Sequence, residues 1–129
     1  MMKYELTATK RAGLYQIRAL IDFGQVKAGD LGGWIESEAN LSQDGNAWVF
    51  DNAEVFDNAE VFGNTRVFGN ARVSGDARVF GNTRVFDNAR VFDNAVVFGN
   101  AEVSGDAWVF DDAEVSGDAW VFGDAEVYN

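Results

Sequence analysis

Valine recurs at every sixth residue through most of this chain, from Val49, Val55 and Val61 without a break to Val121 and Val127. Two residues before each valine stands a small side chain, alanine throughout except at Thr65 and Thr83. After it comes an aromatic residue or a serine, then a pair such as Asp51-Asn52, Gly63-Asn64 or Gly75-Asp76. A strand alternates its side chains between two faces, so alanine and valine point one way and the residue between them points the other. The Gly/Asp/Asn pair tolerates the left-handed backbone of a tight corner. Six residues leave no room for a crossover helix and show no hairpin alternation, so the chain turns the same way at each corner and stacks on itself. The expected fold is all-β, a single-stranded parallel β-helix with valine and alanine inside.

Composition narrows the function classes. With 129 residues, 47% hydrophobic and 14% aromatic, the chain is too apolar for disorder and suits one folded unit. A net charge of -11 argues against nucleic acid or an anionic membrane as partner, because both attract lysine and arginine. No apolar run approaches the roughly 18 residues of a membrane span, and the start MMKYELTATKR lacks the apolar core of a signal peptide. A cytoplasmic protein is expected. The absence of cysteine removes disulfides and thiolate metal sites together, and no cofactor or metal is expected.

The unit V-F-G-N-A-R and its variants resemble the hexapeptide repeat of the left-handed parallel β-helix, over residues 35 to 129. That resemblance implies three hexads per triangular coil, equivalent residues 18 apart, and about five coils at about 4.8 Å each. Left-handedness comes from the resemblance alone, since spacing carries no chiral signal and a right-handed solenoid is the rival. Run backwards, the frame gives Ile35, Ala39 and Leu41 as a further hexad. Leu41 to Val49 is then eight residues instead of six, so two residues are inserted within Ser42 to Asn46 as a bulge at one corner. Residues 1 to 34 read as an N-terminal β cap, with strands at Tyr4 to Thr7 and Leu14 to Ile21 and a turn at Asp30 to Gly33. Asp22-Phe23, Val26 to Asp30, Gly32 to Ile35 and Asn40 to Gln43 are similar to the leader of uncharacterised bacterial and phage-associated hexapeptide-repeat proteins. Those are often labelled transferases by fold analogy, which is a weak warrant for function.

Acyltransferases of that fold usually employ a histidine general base, and the related carbonic anhydrases hold a metal with histidine. This chain has no histidine, and its thirteen consecutive hexads contain no inserted loop from which to build a pocket. The expectation is therefore a protein that is not an enzyme.

Its candidate surface is the variable position between alanine and valine. Arg66, Arg72, Arg78, Arg84 and Arg90 form a band around the middle of the rod, with Glu54 and Glu60 before it and Glu102 and Glu114 after it. The 18-residue period sets Arg72 beside Glu54 and Arg84 beside Glu102, so axial ion pairing on exposed faces is the bland account. An anion site or partner footprint is the sharper one. Aromatic residues after the valines form three columns at the corners, broken by Ser74, Ser104 and Ser116. They pack as ladders, yet leave apolar stripes that favour side-by-side association. Thr65 and Thr83, one coil apart, should bond through their inward hydroxyls to each other or to backbone. The chain stops within a hexad at Tyr128-Asn129, so an uncovered last coil is expected there. The candidate interaction residues are thus the five arginines with Phe110, Phe122 and Tyr128. They suit a structural, self-associating rod or scaffold that forms a homo-oligomer through its C-terminal coil or Phe corners. A protein- or anion-binding module is the alternative, and an acyltransferase lacking the usual histidine comes third.

Overall fold

The computed structural model describes residues 2–129. Among these, fourteen two-residue strands run from Trp48–Val49 to Glu126–Val127, each the outward residue and valine of one hexad. They stack in three parallel sheets, one per side of the rod. Pairing joins residues 18 apart, Val49 to Val67, Val55 to Val73 and Val61 to Val79. The chain is a parallel β-solenoid of about five coils. Its interior is one continuous column of valine and alanine, with Thr65 and Thr83 in two of the alanine places, and from Ala47 to Val109 no inward residue is more than 1% exposed.

The corners are built as the composition demands. From Asp51 at 56° to Gly123 at 64°, the residue two after each valine has a positive φ. Glycine meets this demand because it has no Cβ to clash. Aspartate meets it differently: the carboxylates of Asp51, Asp57, Asp87 and Asp93 accept the backbone N–H one coil later, at Gly69, Gly75, Gly105 and Asp111, over 3.1–3.2 Å. The amide of Asn64 donates to Asn82, Asn82 to Asn100, and Asn100 to Asp118, each at 3.1 Å. Thr65 and Thr83 are fully buried and donate their hydroxyls to the carbonyls of Phe62 and Phe80, at 2.8 and 2.7 Å. The backbone option expected for them is the one realised.

The N-terminal strands are β1 (Tyr4–Arg11), β2 (Leu14–Ala19) and β3 (Leu31–Ile35). β1 and β3 flank β2 antiparallel, while β3 also pairs in parallel with Glu54–Val55 of the solenoid. It is at once the last strand of the cap and the first rung of one face. Ile35 pairs with Val55 and Leu41 with Val61, an offset of 20 where later coils have 18. The two-residue insertion is read directly from that difference.

Two local expectations are corrected here. Asp30 to Gly33 was expected to turn, but Gly32 and Gly33 lie inside β3. A Cβ on Gly32 would sit 2.6 Å from the carbonyl oxygen of Val49, and one on Gly33 would sit 2.6 Å from that of Ala53. These glycines let the cap's backbone approach the first coil. Ala39 was expected to face inward, but the 3-10 turn Glu38–Asn40 carries it outward and buries Asn40 in its place. The Asn40 side chain accepts the N–H groups of Glu36 and Ser37 and donates to the carbonyls of Asp57 and Ala59, so four polar groups at the start of the solenoid are paired by one amide.

Lys3 closes the first coil from the cap. Only 2% exposed, it donates from Nζ to the carbonyl of Ala47 at 2.8 Å, with Gly45 and Asp44 at 3.3 and 3.5 Å. The insertion contributes too, because Gln43 Oε1 accepts the backbone N–H of Lys3 at 2.7 Å. Desolvation pushes the Lys3 ammonium down to about 8, against a partial upward pull from Asp44. The unfolded chain keeps this proton to about 10.5. Between these values the unfolded chain therefore binds more protons, and stability gains with pH. Burial, with Glu38 second, raises the Tyr4 phenol above its ordinary value of 10, so above pH 10 the unfolded chain ionises first and stability falls. The expected result is a melting temperature that rises from pH 8 toward pH 10 and then declines. In Lys3→Met the rise should vanish while the decline remains.

Candidate interaction surface

The outward residues of the hexads sort onto three faces. One carries Trp34, Glu54, Arg72, Arg90, Trp108 and Glu126 in order along the rod. A second carries Trp48, Arg66, Arg84, Glu102 and Trp120. The third carries Glu60, Arg78, Val96 and Glu114. The five arginines therefore do encircle the middle of the solenoid. Four are exposed and Arg66 is half-buried.

Ion pairing along the axis is much sparser than the period suggests. Arg72 Nε lies 3.7 Å from Glu54, which Arg11 of the cap approaches more closely at 3.2 Å. Arg84 is in register with Glu102, yet among the described residues Arg66, Arg78, Arg84 and Arg90 form no ion pair. The register accounts for part of this, since Arg66 stacks on Arg84 and Arg72 on Arg90, whereas Arg78 stands between Glu60 and Val96. Like charges directly opposite on a sheet repel. Arg90 leans over the Trp108 ring at 5.6 Å. Of the two axial neighbours expected, Arg72 meets Glu54 as an ion pair and Arg84 stands in register with Glu102 without one, so the belt is only partly compensated along its own faces.

From Phe50 to Phe110 the corner aromatics are half-buried, and most stack along the axis. Phe62, Phe80 and Phe98 follow one another at 4.8 and 5.2 Å with planes within 6°, and Phe68 lies 4.8 Å from Phe86. Phe92, Phe110 and Tyr128 continue the third column at 5.2 Å steps. Phe110 is thus held in a ladder, whereas Phe122 and Tyr128 are 63% and 62% exposed, alongside Trp120 at 67%. The surface residues singled out from the sequence form a belt and a set of corner rows, and do not converge on one pocket. What the sequence reading missed is the notch left where Ser74 replaces a ring, bounded by Phe56, Phe92, Arg72 and Arg90. Its signal was the serine breaking an aromatic column.

Against known proteins, the YdcK Beta solenoid repeat model matches residues 65–81, 71–85 and 83–99. The chain is 41% identical over 63 residues to "Uncharacterized acetyltransferase YdcK" of Escherichia coli (strain K12), covering 40% of this chain and 19% of that protein. The match thus spans about a fifth of the relative's length. The hexapeptide-repeat β-helix resemblance stands. The expectation that the chain is not an enzyme does not, because a relative at this identity bears an acetyltransferase name. The missing histidine removes only the commonest general base, and carboxylates can also serve in that role.

Proposed function

We propose that this hexapeptide-repeat β-solenoid works as an assembly rod, in which the arginine belt of one copy meets the acidic bands of another. The observation that carries this reading is the in-register stacking of Arg66 on Arg84 and Arg72 on Arg90. Four of the five belt arginines have no ion-pair partner within the described chain, while glutamates lie before and after the belt. Two rods side by side and displaced along their axes bring opposite charges together, and the half-buried Phe ladders at the corners add apolar area beside them. A cationic belt of this kind on a chain of charge -11 favours a partner with acidic edges, and the chain itself supplies them.

Sedimentation velocity over a concentration series at low salt tests this. Reversible association is expected, weakened by added salt because exposed charges are screened over about 8–10 Å. Replacing Arg66, Arg72, Arg84 and Arg90 by Gln should weaken it at least about tenfold without lowering the melting temperature. A strict monomer at high micromolar concentration, or association indifferent to these substitutions, would refute the proposal.

Acetyl transfer is the second reading, favoured by the name of the relative. With no histidine in the chain, a carboxylate or a group brought by a neighbouring copy would have to act as base. Saturable consumption of acetyl-CoA would be its signature.

A further inference from the structure

We propose that the notch over Ser74 binds a planar aromatic ring carrying an anionic group. Four pairs of consecutive corner rings stack at 4.8–5.2 Å with planes within 6°, while Phe50 and Phe68 meet edge-on at 6.4 Å. Ser74 stands where the ring between Phe56 and Phe92 would be, so these two lie two coils apart, about 10 Å at the usual strand spacing. A ring placed midway would face each wall at about 5 Å, within the range of offset stacking. The opening is about 290 Å³, ample for one ring, with Ser74 and Gly75 as its floor. A bound ring would join Phe56 to the parallel stack that Phe92 and Phe110 already form at 5.2 Å.

Charge at the rim selects the substituent. Arg72 and Arg90 stand on the strand side, and Asp57 and Asp93 on the corner side. The aspartates are engaged, since each spends an oxygen on a backbone N–H one coil later, at Gly75 and Asp111. The arginines are less committed. Arg90 has no carboxylate partner among the described residues, and Arg72 shares Glu54 with Arg11 at the longer of the two distances. Two guanidiniums in register, one coil apart, suit a carboxylate or a similar anion that both can reach. The gap at Ser104 offers a contrast, because it is bounded by Phe86 and Phe122 but flanked by Glu102 and Trp120 with no arginine. It should accept a ring without preferring an anion.

The test is an amide NMR titration of the intact chain with 2-naphthoate, using cyclohexanecarboxylate and 2-naphthol as the anion without an aromatic ring and the ring without the charge. Saturable shifts at Ser74, Gly75 and Arg90 are expected for 2-naphthoate, with binding at least about tenfold weaker for each control. Ser74→Phe should complete the ladder, abolish the shifts and raise the melting temperature by about 2–4 °C. Ser104→Phe should leave 2-naphthoate binding at Ser74 unchanged. If Ser74→Phe fails to fold, Arg72→Gln with Arg90→Gln should erase the preference for 2-naphthoate over 2-naphthol while ring binding persists. Light scattering on the same samples keeps assembly and ligand binding apart. No saturable shift at millimolar 2-naphthoate, equal binding of cyclohexanecarboxylate, or binding that survives Ser74→Phe would overturn the proposal.

Discussion

Val85→Asp is expected to lower stability by several kcal/mol or to unfold the solenoid, while Arg84→Asp, one residue away, should cost below about 1 kcal/mol. Val85 is fully buried and stacks between Val67 and Val103, so a carboxylate there has valine above and below. The surrounding backbone groups are already spent on the ladder, as with the bond from Phe68 N to Val85 O at 2.9 Å. An unpaired buried carboxylate can lessen its penalty only by taking up a proton, so part of the loss should be recovered on acidification. Arg84 points to solvent and has no ion pair to lose. Its replacement removes one like-charge contact with Arg66 and adds another with Glu102. Circular-dichroism melting of the two variants decides the matter, and equal midpoints would contradict the inward assignment of the valines.

The second large effect concerns a glycine with an unremarkable backbone. Gly33→Ala should destabilise the docking of the cap by about 3 kcal/mol or more, toward and beyond the upper end for overpacked cores. The new methyl would lie 2.6 Å from the carbonyl oxygen of Ala53 and 2.7 Å from Cγ1 of Val49. The Ala53 carbonyl cannot give way cheaply, because it accepts the Trp34 N–H at 3.0 Å and so holds β3 to the first full coil. Gly13→Ala makes the instructive comparison. Gly13 has φ +83° but open space around it, so only backbone strain of roughly 1 kcal/mol is added. The residue with the ordinary conformation should be the more damaging one to change. Limited proteolysis of the N-terminal 34 residues, together with melting, would read the difference. Equal susceptibility of the two variants would show that close approach is not what Gly33 provides.

These variants also mark how far the sequence could be read. The fate of Val85 followed from its place in a six-residue period, and the tight corners followed from Gly, Asp and Asn at fixed offsets. The two-residue insertion was equally legible, since it displaced a strict repeat. Outside the repeat the same reasoning weakened. Gly32-Gly33 looks like a turn in isolation because glycine favours turns, and only the neighbouring coil shows that space was the need. Ala39 fitted the frame but lost its place to Asn40, whose amide bonds four backbone groups that an alanine side chain could not reach with a polar atom. The arginine belt was visible as a run in the hexads, but the scarcity of ion pairs along it was not, because a register that sets Arg84 beside Glu102 also sets it beside Arg66.

Trp48 and Trp120 occupy the same hexad position on the same face, yet one is 1% exposed and the other 67%. Their shared outward direction is a consequence of strand alternation, a local property that every repeat restates, and so it was determined by sequence alone. Their different burial is not local. Tyr4 and Phe23 of the N-terminal segment meet the Trp48 ring edge-on at 6.1 and 5.2 Å, and β3 brings Gly32 against it. Periodic information specifies the solenoid because each hexad meets the same surroundings 18 residues away. What covers the first coil, which charges find partners and where a missing ring leaves a notch depend on residues that meet outside the repeat or differ between successive coils. Only the tertiary structure decided those.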